Sequence, residues 1–560
     1  MLIKYFKFLL ITFVIFFTTP LYSKKDIKNE FNLKTLSNYF SGVIAYDNDQ
    51  NPEALKFFNL SKDLINKHKP FLKQYIFSLI IDGKVSQAIN KLKSNLKKEN
   101  SVFFEAYFLL SLDSILKKNF IKSDEYLEEL SKFKDDGTIE NLIYKTLENY
   151  NHLFKSKEII PTNFGSLSYV SQALQNCYLG SKQTVIHFEN LINNVAVDTG
   201  RYKFFYINYL IKNNNLKLLK EITNNIDPLE STLLIHQTIK WTQKNELKKI
   251  NDIFSCEKES DILREFFYII ANLYSSQKDF EKSNFYLNIS IYLNPSFKFN
   301  LSLASENYYE NENYIQVKKI LKNFKKDDEV YYWYKIKKEV SIISKEFNKE
   351  KAFDHINFEL KNIKDPSSKI LFDMANISKN FKRYKVAISY YNKLLLKENL
   401  NENSYAEILY RRGSCYERLK DFKNSDKDLQ ESLLIRPNDA YTLNYLAYSW
   451  LERNYRIDEA ISMLDKAYKL KKNDPFILDS VGWGYFLIND FVNAEIFLKL
   501  AIQYMPDDPI VNEHYADVLW KLDRKTEAKY YWQSVLSSDD TTDDIKKNVK
   551  IKLLKGLEEI

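Results

Sequence analysis

Short stretches with apolar residues at three- and four-residue spacing alternate along this chain with short polar breaks. Near the C-terminus the alternation becomes a template that recurs about every 34 residues. Gly413 is followed by Tyr416, Ser425, Leu429, Ser432 and Pro437, and Gly482 by Tyr485, Ala494, Leu498, Ala501 and Pro506, at identical offsets. Ala447, Trp450, Ala460, Leu464 and Ala467 make an intermediate copy with one extra residue before Ala460. Ala516, Leu519, Ala528, Trp532 and Val535 make a last one. The pattern predicts pairs of antiparallel helices. Small residues sit where the two helices approach closely, large apolar residues fill the groove between them, and proline closes the second helix because it cannot continue the hydrogen-bond ladder.

The template extends upstream. Gly42, Ala54, Phe58 and Ser61 keep its offsets, as do Ala88 with Leu92 and Ser123 with Leu127. Ala271, Tyr274, Ser283, Leu287, Ser290 and Pro295 reproduce it in full. Weaker copies run from Tyr308 to Phe324 and around Ala352, and a better one from Ala375 through Ala387, Tyr391 and Leu394. Between about 136 and 262 the template fades, although Tyr202, Phe205, Tyr206, Tyr209 and Leu210 keep a helical period and Pro161, Gly165, Gly180, Gly200 and Pro228 mark breaks. Two readings stay open there: degenerate helical hairpins, or a hinge or inserted helical domain between two solenoid arms. After the last copy, Asp543 and Asp544 suit a helix N-terminus. The segment from Ile545 to Leu557 then reads as a terminal helix whose Val549, Ile551, Leu553, Leu554 and Leu557 cover the end of the stack. The expected organisation is a signal segment over 1–23, repeats over 24–135, degenerate hairpins over 136–262, repeats over 263–400, four clear repeats over 401–537, and a linker with a capping helix over 538–560.

Composition fits helices joined by tight turns, since only 10 glycines and 11 prolines interrupt 560 residues. That length exceeds one ordinary core, a limit that a stack of hairpins escapes because each needs only its neighbours. The net charge of +8 is small for this length and the acids are interspersed, which argues against a nucleic-acid groove. At the N-terminus, Lys4 and Lys7 precede an apolar run from Phe8 to Phe17, and Ser23 is small enough to precede a cleavage site. This predicts export. Leu21 is not the small residue expected two before Ser23, so the competing reading is an inner-membrane anchor formed by residues 8–22. No cysteine lies near the cleavage region to carry a lipid. Cys177, Cys256 and Cys415 are odd in number and widely spaced, which argues against a disulfide framework and for three small buried residues on helices.

The spacing of the four clear copies resembles the tetratricopeptide repeat (TPR), a helix–turn–helix unit. The resemblance implies an all-α, right-handed α-solenoid. Three runs narrow it: Asn444-Tyr445-Leu446-Ala447-Tyr448, Asp479-Ser480-Val481-Gly482-Trp483 and Asn512-Glu513-His514-Tyr515-Ala516-Asp517. These are similar to long exported proteobacterial TPR proteins, such as the outer-membrane TPR lipoprotein that partners a periplasmic carboxyl-terminal processing protease. The likeness covers about 405–557 and the stretch around Ser37 to Ser61. It implies a non-enzymatic periplasmic scaffold for protein partners, recruiting an envelope protease or its cell-wall hydrolase substrates. A structural part of an envelope assembly or polymer-export complex is the alternative.

In such an array the first helix of each hairpin lines the concave face. The groove-facing positions are Glu407, Tyr410, Ser414 and Arg418 in the first clear copy, and Tyr441, Asn444 and Tyr448 in the second. The third contributes Phe476, Asp479, Trp483 and Phe486, and the last Glu513, Asp517, Trp520 and Lys521. Aromatics supply contact area and the polar groups fix orientation, as a peptide-binding lining requires. Tyr410, Arg418, Asn444, Tyr448, Asp479, Trp483, Glu513, Asp517 and Trp520 are the candidate binding residues. The competing reading is that Trp483 and Trp520 pack between helices. No catalytic motif, metal-ligand spacing or cofactor loop stands out, and the six histidines are scattered. An enzymatic site would require His152, His187, Glu189 and Asp198 to converge.

Overall fold

A computed structural model describes residues 32–557, apart from 97–100, 136, 162–164, 166, 195–199, 228, 230, 398–399 and 539–540. The expected signal segment, Asp198 and Pro228 lie outside the described residues. Among the described residues all regular structure is helical, and no helix is long and apolar enough to cross a membrane.

The N-terminal helices are α1 (Leu33–Asp47), α2 (Asn51–Leu60), α3 (Lys69–Ile81), α4 (Val85–Asn95), α5 (Phe104–Leu116) and α6 (Phe120–Leu130). The region of faded template forms α7 (Ile139–Ser156), α8 (Leu167–Tyr178), α9 (Thr184–Asn194), α10 (Gly200–Lys212), α11 (Leu216–Asn224), α12 (Leu233–Gln243) and α13 (Leu247–Ile253). Then come α14 (Glu259–Ser276), α15 (Phe280–Leu293), α16 (Phe299–Glu310), α17 (Tyr314–Leu321), α18 (Glu329–Glu346), α19 (Lys349–Leu360), α20 (Ser368–Asn380) and α21 (Tyr384–Leu395). The clear repeats are the hairpins α22 (Glu402–Arg418) with α23 (Phe422–Ile435), α24 (Ala440–Glu452) with α25 (Ile457–Leu470), α26 (Pro475–Leu487) with α27 (Phe491–Tyr504), and α28 (Pro509–Lys521) with α29 (Lys525–Ser537). The chain ends on α30 (Asp543–Lys555).

Local chemistry sets these boundaries. Asp421, Asp439, Asp474, Asp490 and Asp508 each cap a helix by accepting from a backbone N–H two or three residues on. Pro475 and Pro509 follow two of them, at positions where the missing N–H costs nothing. Most turns inside the hairpins hold a residue at positive φ, and few of these are glycine. Lys278, Glu312, Lys382, Lys420, Asn454, Asn489 and Asp523 take that position along the second half of the chain. The same turn recurs in the faded region at Gly180, Asn214 and Asn245. Glycine is instead spent on close approach: a Cβ on Gly482 would lie 2.5 Å from Cγ of Leu498 on the paired helix.

Two compact units divide the chain: residues 1–216 with 241–322, and residues 217–240 with 323–560. In the first unit, α3 packs on the outer face of α15. Phe77 stacks on Phe285 with ring centres 4.5 Å apart, and Asn288 donates to the carbonyl of Ile81 at 3.1 Å. The same unit holds a disulfide between Cys177 on α8 and Cys256 in the turn before α14, with Cα atoms 5.9 Å apart. This corrects the expectation of three isolated cysteines. A separation of 79 residues carries no local spacing signal, and only tertiary packing makes the two neighbours. Cys415 is buried and free, as expected of a small residue in a packed first helix.

Near that disulfide lies a cation cluster that the sequence did not announce. Arg201 makes a two-pronged salt bridge to the fully buried Glu265, at 2.7 and 2.6 Å, and its guanidinium sits 3.5 Å from the ring centre of Tyr268. Arg264, also fully buried, lies 3.7 Å from the ring centre of Phe297. Burial pushes its pKa down to about 10, against the pull of Glu265. Aromatic faces are the surroundings in which a buried guanidinium is least costly.

In the second unit the template residues do what their sizes predict. Ala447, Ala460, Ala467, Ala494, Ala501, Ala516 and Ala528 are wholly buried between helices, with Leu464, Leu498 and Trp532 filling the grooves. Val549 of α30 joins the core of the last hairpin, so the terminal helix covers the end of the stack.

Candidate functional site

Side chains that bridge successive first helices mark one face of the clear repeats. The Tyr445 hydroxyl donates to Glu417 at 2.9 Å, linking α24 to α22. Trp483 Nε1 donates to Glu452 at 2.6 Å, linking α26 to α24. Nδ1 of His514 meets Asp479 Oδ1 at 2.9 Å, linking α28 to α26. Lys552 of α30 continues the series, reaching Asp517 at 2.6 Å and Glu513 at 2.8 Å.

These bridges sort the candidate residues. Asp479 and Asp517 are buried, the first against His514 and the second between Lys552 and the indole N–H of Trp532. Trp520 lies against Trp532 with ring centres 5.2 Å apart, and Glu513 is held by Lys552. These four are tied into packing or ion pairs. Tyr410 is half-buried, its ring perpendicular to that of Tyr445. Of the rest, only Arg418 is exposed; Asn444, Tyr448 and Trp483 are half-buried, the last held by Glu452 and His514. The Arg418 side chain is 60% exposed at the end of α22. The amide oxygen of Asn444 is buried without a hydrogen-bond partner, a cost of about 1–3 kcal/mol to the fold. Trp483 is partly exposed and stacks on His514 with centres 4.1 Å apart.

The electrostatics follow from this arrangement. Burial raises the Tyr448 phenol, and the carboxylates of Glu452 and Asp479 raise it further, so it stays a neutral donor beside the cationic Arg418. Burial opposes the charged form of His514. The adjacent Asp479 carboxylate, with Asp517 and Glu513 beyond it, outweighs that and holds the histidine above its ordinary pKa. Tyr448 and Trp483 thus offer partly exposed aromatic surface, and Arg418 and Glu452 charges of both signs, along one face. Such a lining suits an extended or helical peptide better than a small molecule.

Elsewhere, sequence reading missed a cavity of about 170 Å³ in the second unit, lined by His236, Trp333, Lys337, Lys369 and Asp373 among others. Asp373 accepts from Trp333 Nε1 at 2.9 Å and Lys337 at 2.7 Å. Burial, then Lys369 and Lys240, push His236 down to about 4. In the faded region, His152 and His187 line separate clefts, and Glu189 faces the Tyr206 hydroxyl at 3.3 Å. These three described residues do not converge on one pocket. Among the described residues no group of three or more His, Cys, Asp or Glu side chains is placed to hold a metal ion.

With the hairpins and their inner face described, relatives place the chain. The profile of the family described as tetratricopeptide repeat matches residues 406–439. The TPR repeat-containing protein PA4667 of Pseudomonas aeruginosa is 36% identical over 103 residues, which is 18% of this chain and 18% of that protein. Among solved structures, the thermophilic TPR protein TTC0263 of Thermus thermophilus aligns over 34% of this chain and all of its own, at 18% identity and a TM-score of 0.30. The type IV pilus biogenesis factor PilW aligns over 34% of this chain and 86% of its own, at 19% identity and a TM-score of 0.29. The chain carries a tetratricopeptide repeat at residues 406–439, within a run of helical hairpins of the same template. Such repeats mediate protein–protein interactions, and their fold is generally a scaffold rather than a catalyst.

Proposed function

We propose that this protein is a non-enzymatic, exported scaffold whose inner face over α22, α24, α26 and α28 binds a segment of a partner in the cell envelope. The observation that carries the reading is the inner face itself, where the exposed Arg418 stands beside the half-buried Asn444, Tyr448 and Trp483. The basic and apolar N-terminus supports export, and the Cys177–Cys256 disulfide suits an oxidising compartment. The partner class is an envelope protease of the carboxyl-terminal processing kind, or the cell-wall hydrolases it degrades. Holding enzyme and substrate on one solenoid raises their effective concentration for each other.

The test is affinity capture from envelope extracts with the tagged chain and with a triple variant, Arg418→Glu, Asn444→Ala and Tyr448→Ala. The wild type recovers the protease or a hydrolase, and the variant loses it while keeping its helical circular dichroism. A folded variant that retains the partner removes the inner-face assignment. Recovery of export-machine components alone moves the protein to an assembly role.

A further inference from the structure

The cavity of about 170 Å³ lies wholly within the second unit, walled by α12, α18 and α20. Lys369 and Asp373 stand one turn apart on the same face of α20, and Lys337 reaches them from α18. His236 faces the cavity from α12, and Leu233, Val330 and Ile370 make an apolar wall.

Asp373 is fully engaged. Its Oδ2 accepts from Lys337 at 2.7 Å and from the Trp333 indole at 2.9 Å, and its Oδ1 lies 3.5 Å from Lys369. Burial opposes its charge, but Lys337 and Lys369 outweigh that and hold it below the usual carboxylate range, so it stays ionised. The lysines are not matched in return. An ammonium has three donors. Lys337 spends one on Asp373, and Lys369 spends one on the Leu229 carbonyl and a long one on Asp373. Among the described residues the lining therefore holds two cations against one carboxylate, with donors to spare. The next charges out are already engaged. Lys240 pairs with Glu329 at 2.5 Å, and Asp227, outside the lining, accepts from the Ser404 hydroxyl at 2.6 Å.

His236 registers the surplus. Burial lowers its pKa to about 4, and Lys369, Lys240 and Lys337 add to that against Asp373. The ring is neutral at pH 7, and its Nδ1 is buried with no hydrogen-bond partner among the described residues. Burial also lowers Lys369, against the pull of Asp373. An anion's oxygens would satisfy all three groups at once, because a neutral imidazole can carry its proton on Nδ1 and donate it.

We propose that this cavity binds a small monocarboxylate with a compact apolar body, its oxygens held by Lys337, Lys369 and His236 and its body against Leu233, Val330 and Ile370. A cavity of about 150 Å³ holds one benzene ring, so the space suits a single ring or a short branched chain. The surplus of one positive charge matches a monoanion. Phosphate would leave oxygens facing the apolar wall without donors. The ligand would bridge three helices. It would thereby clamp α12, whose segment is otherwise tied to the unit through Asp227–Ser404, Leu229–Lys369 and Lys240–Glu329.

Calorimetric titration of the full chain tests this with three probes: benzoate, the uncharged benzamide of the same shape, and inorganic phosphate. Benzoate binds saturably with a dissociation constant of about 1 mM or tighter, and the other two bind at least about tenfold more weakly. Benzoate also slows hydrogen exchange in α12. Lys337→Gln, at a position 36% exposed, keeps the helical circular dichroism and weakens benzoate at least about tenfold. Lys345→Gln, exposed on the same helix, leaves binding unchanged. No saturable benzoate binding by about 10 mM overturns the proposal. Benzamide or phosphate binding as tightly as benzoate overturns it in the wild type alone, and so does undiminished benzoate binding by a folded Lys337→Gln variant.

Discussion

Replacing Gly482 with alanine probes how closely two helices must approach for the repeat to stack. The added Cβ would lie 2.5 Å from Leu498 Cγ, 3.1 Å from the Leu498 backbone nitrogen and 3.2 Å from the Ala494 carbonyl oxygen. Ordinary carbon–carbon contact is about 3.5–4.0 Å, so α26 and α27 must part by about 1 Å. Two of the three obstructing atoms are backbone, and no side-chain rotation relieves them. Overpacking of this kind costs about 1–3 kcal/mol. Alanine returns up to about 1 kcal/mol in helix propensity over glycine. The expected net loss is about 1–2 kcal/mol, roughly a five- to thirtyfold shift in local opening. Gly413→Ala is the control. Its nearest obstructions are Cγ and Cδ2 of Leu429 at 2.9 and 3.2 Å, which side-chain rotation can move, and the fixed Cβ of Asp428 at 3.2 Å, so crowding is milder and propensity offsets more of it. Hydrogen exchange resolved to α26 and α27 is the assay, because a repeat array opens piecewise and a single global midpoint blurs the effect. Protection there that is unchanged or raised in Gly482→Ala refutes the reasoning, as does an equal loss around Gly413→Ala.

Two further predictions concern other features of the molecule. Cys177→Ser destabilises the first unit by about 2–4 kcal/mol relative to the oxidised wild type, read by urea unfolding with and without reductant; equal stability in both states contradicts the bond. His514 has a raised folded-state pKa, so its stabilising pairing with Asp479 is complete below the unfolded value of about 6.5 and fades as pH rises through the folded value. The exchange protection of α28 therefore falls between mildly acidic and alkaline pH in the wild type and changes less in His514→Gln; identical profiles discard the pairing as a source of stability.

Much of the architecture was readable in the chain because its causes are local. The offsets from Gly413 and Gly482 encode which faces of two adjacent helices touch, and Ala494, Leu498 and Ala501 are buried as those offsets require. The turn residues were harder to read. The left-handed position is taken by Lys420, Asn454, Asn489 and Asp523 rather than by glycine, so the usual punctuation is missing. Candidate site residues were legible as a face but not as roles. Asp479 looked free for a ligand, yet it is bonded to His514, 35 residues away on the next first helix. Arg418 stands exposed, Tyr448 is half-buried with its phenol raised by burial, and Trp520 lies against Trp532.

The sequence by itself determined the hairpin as the unit, its period, the small and large positions of its core, and the capping helix that ends the stack. Each follows from contacts within one unit or between adjacent units, and a linear pattern records such contacts. Tertiary structure alone decided which outer faces are covered. It laid α3 across Phe285 and Ile289, joined Cys177 to Cys256, gathered Arg201 and Arg264 around Glu265, and left the apolar row on α27 from Val492 to Tyr504 exposed among the described residues. These contacts join residues that no repeat offset relates, or depend on a neighbour being absent. Burial of that kind is a property of the assembled surface and not of any window of sequence.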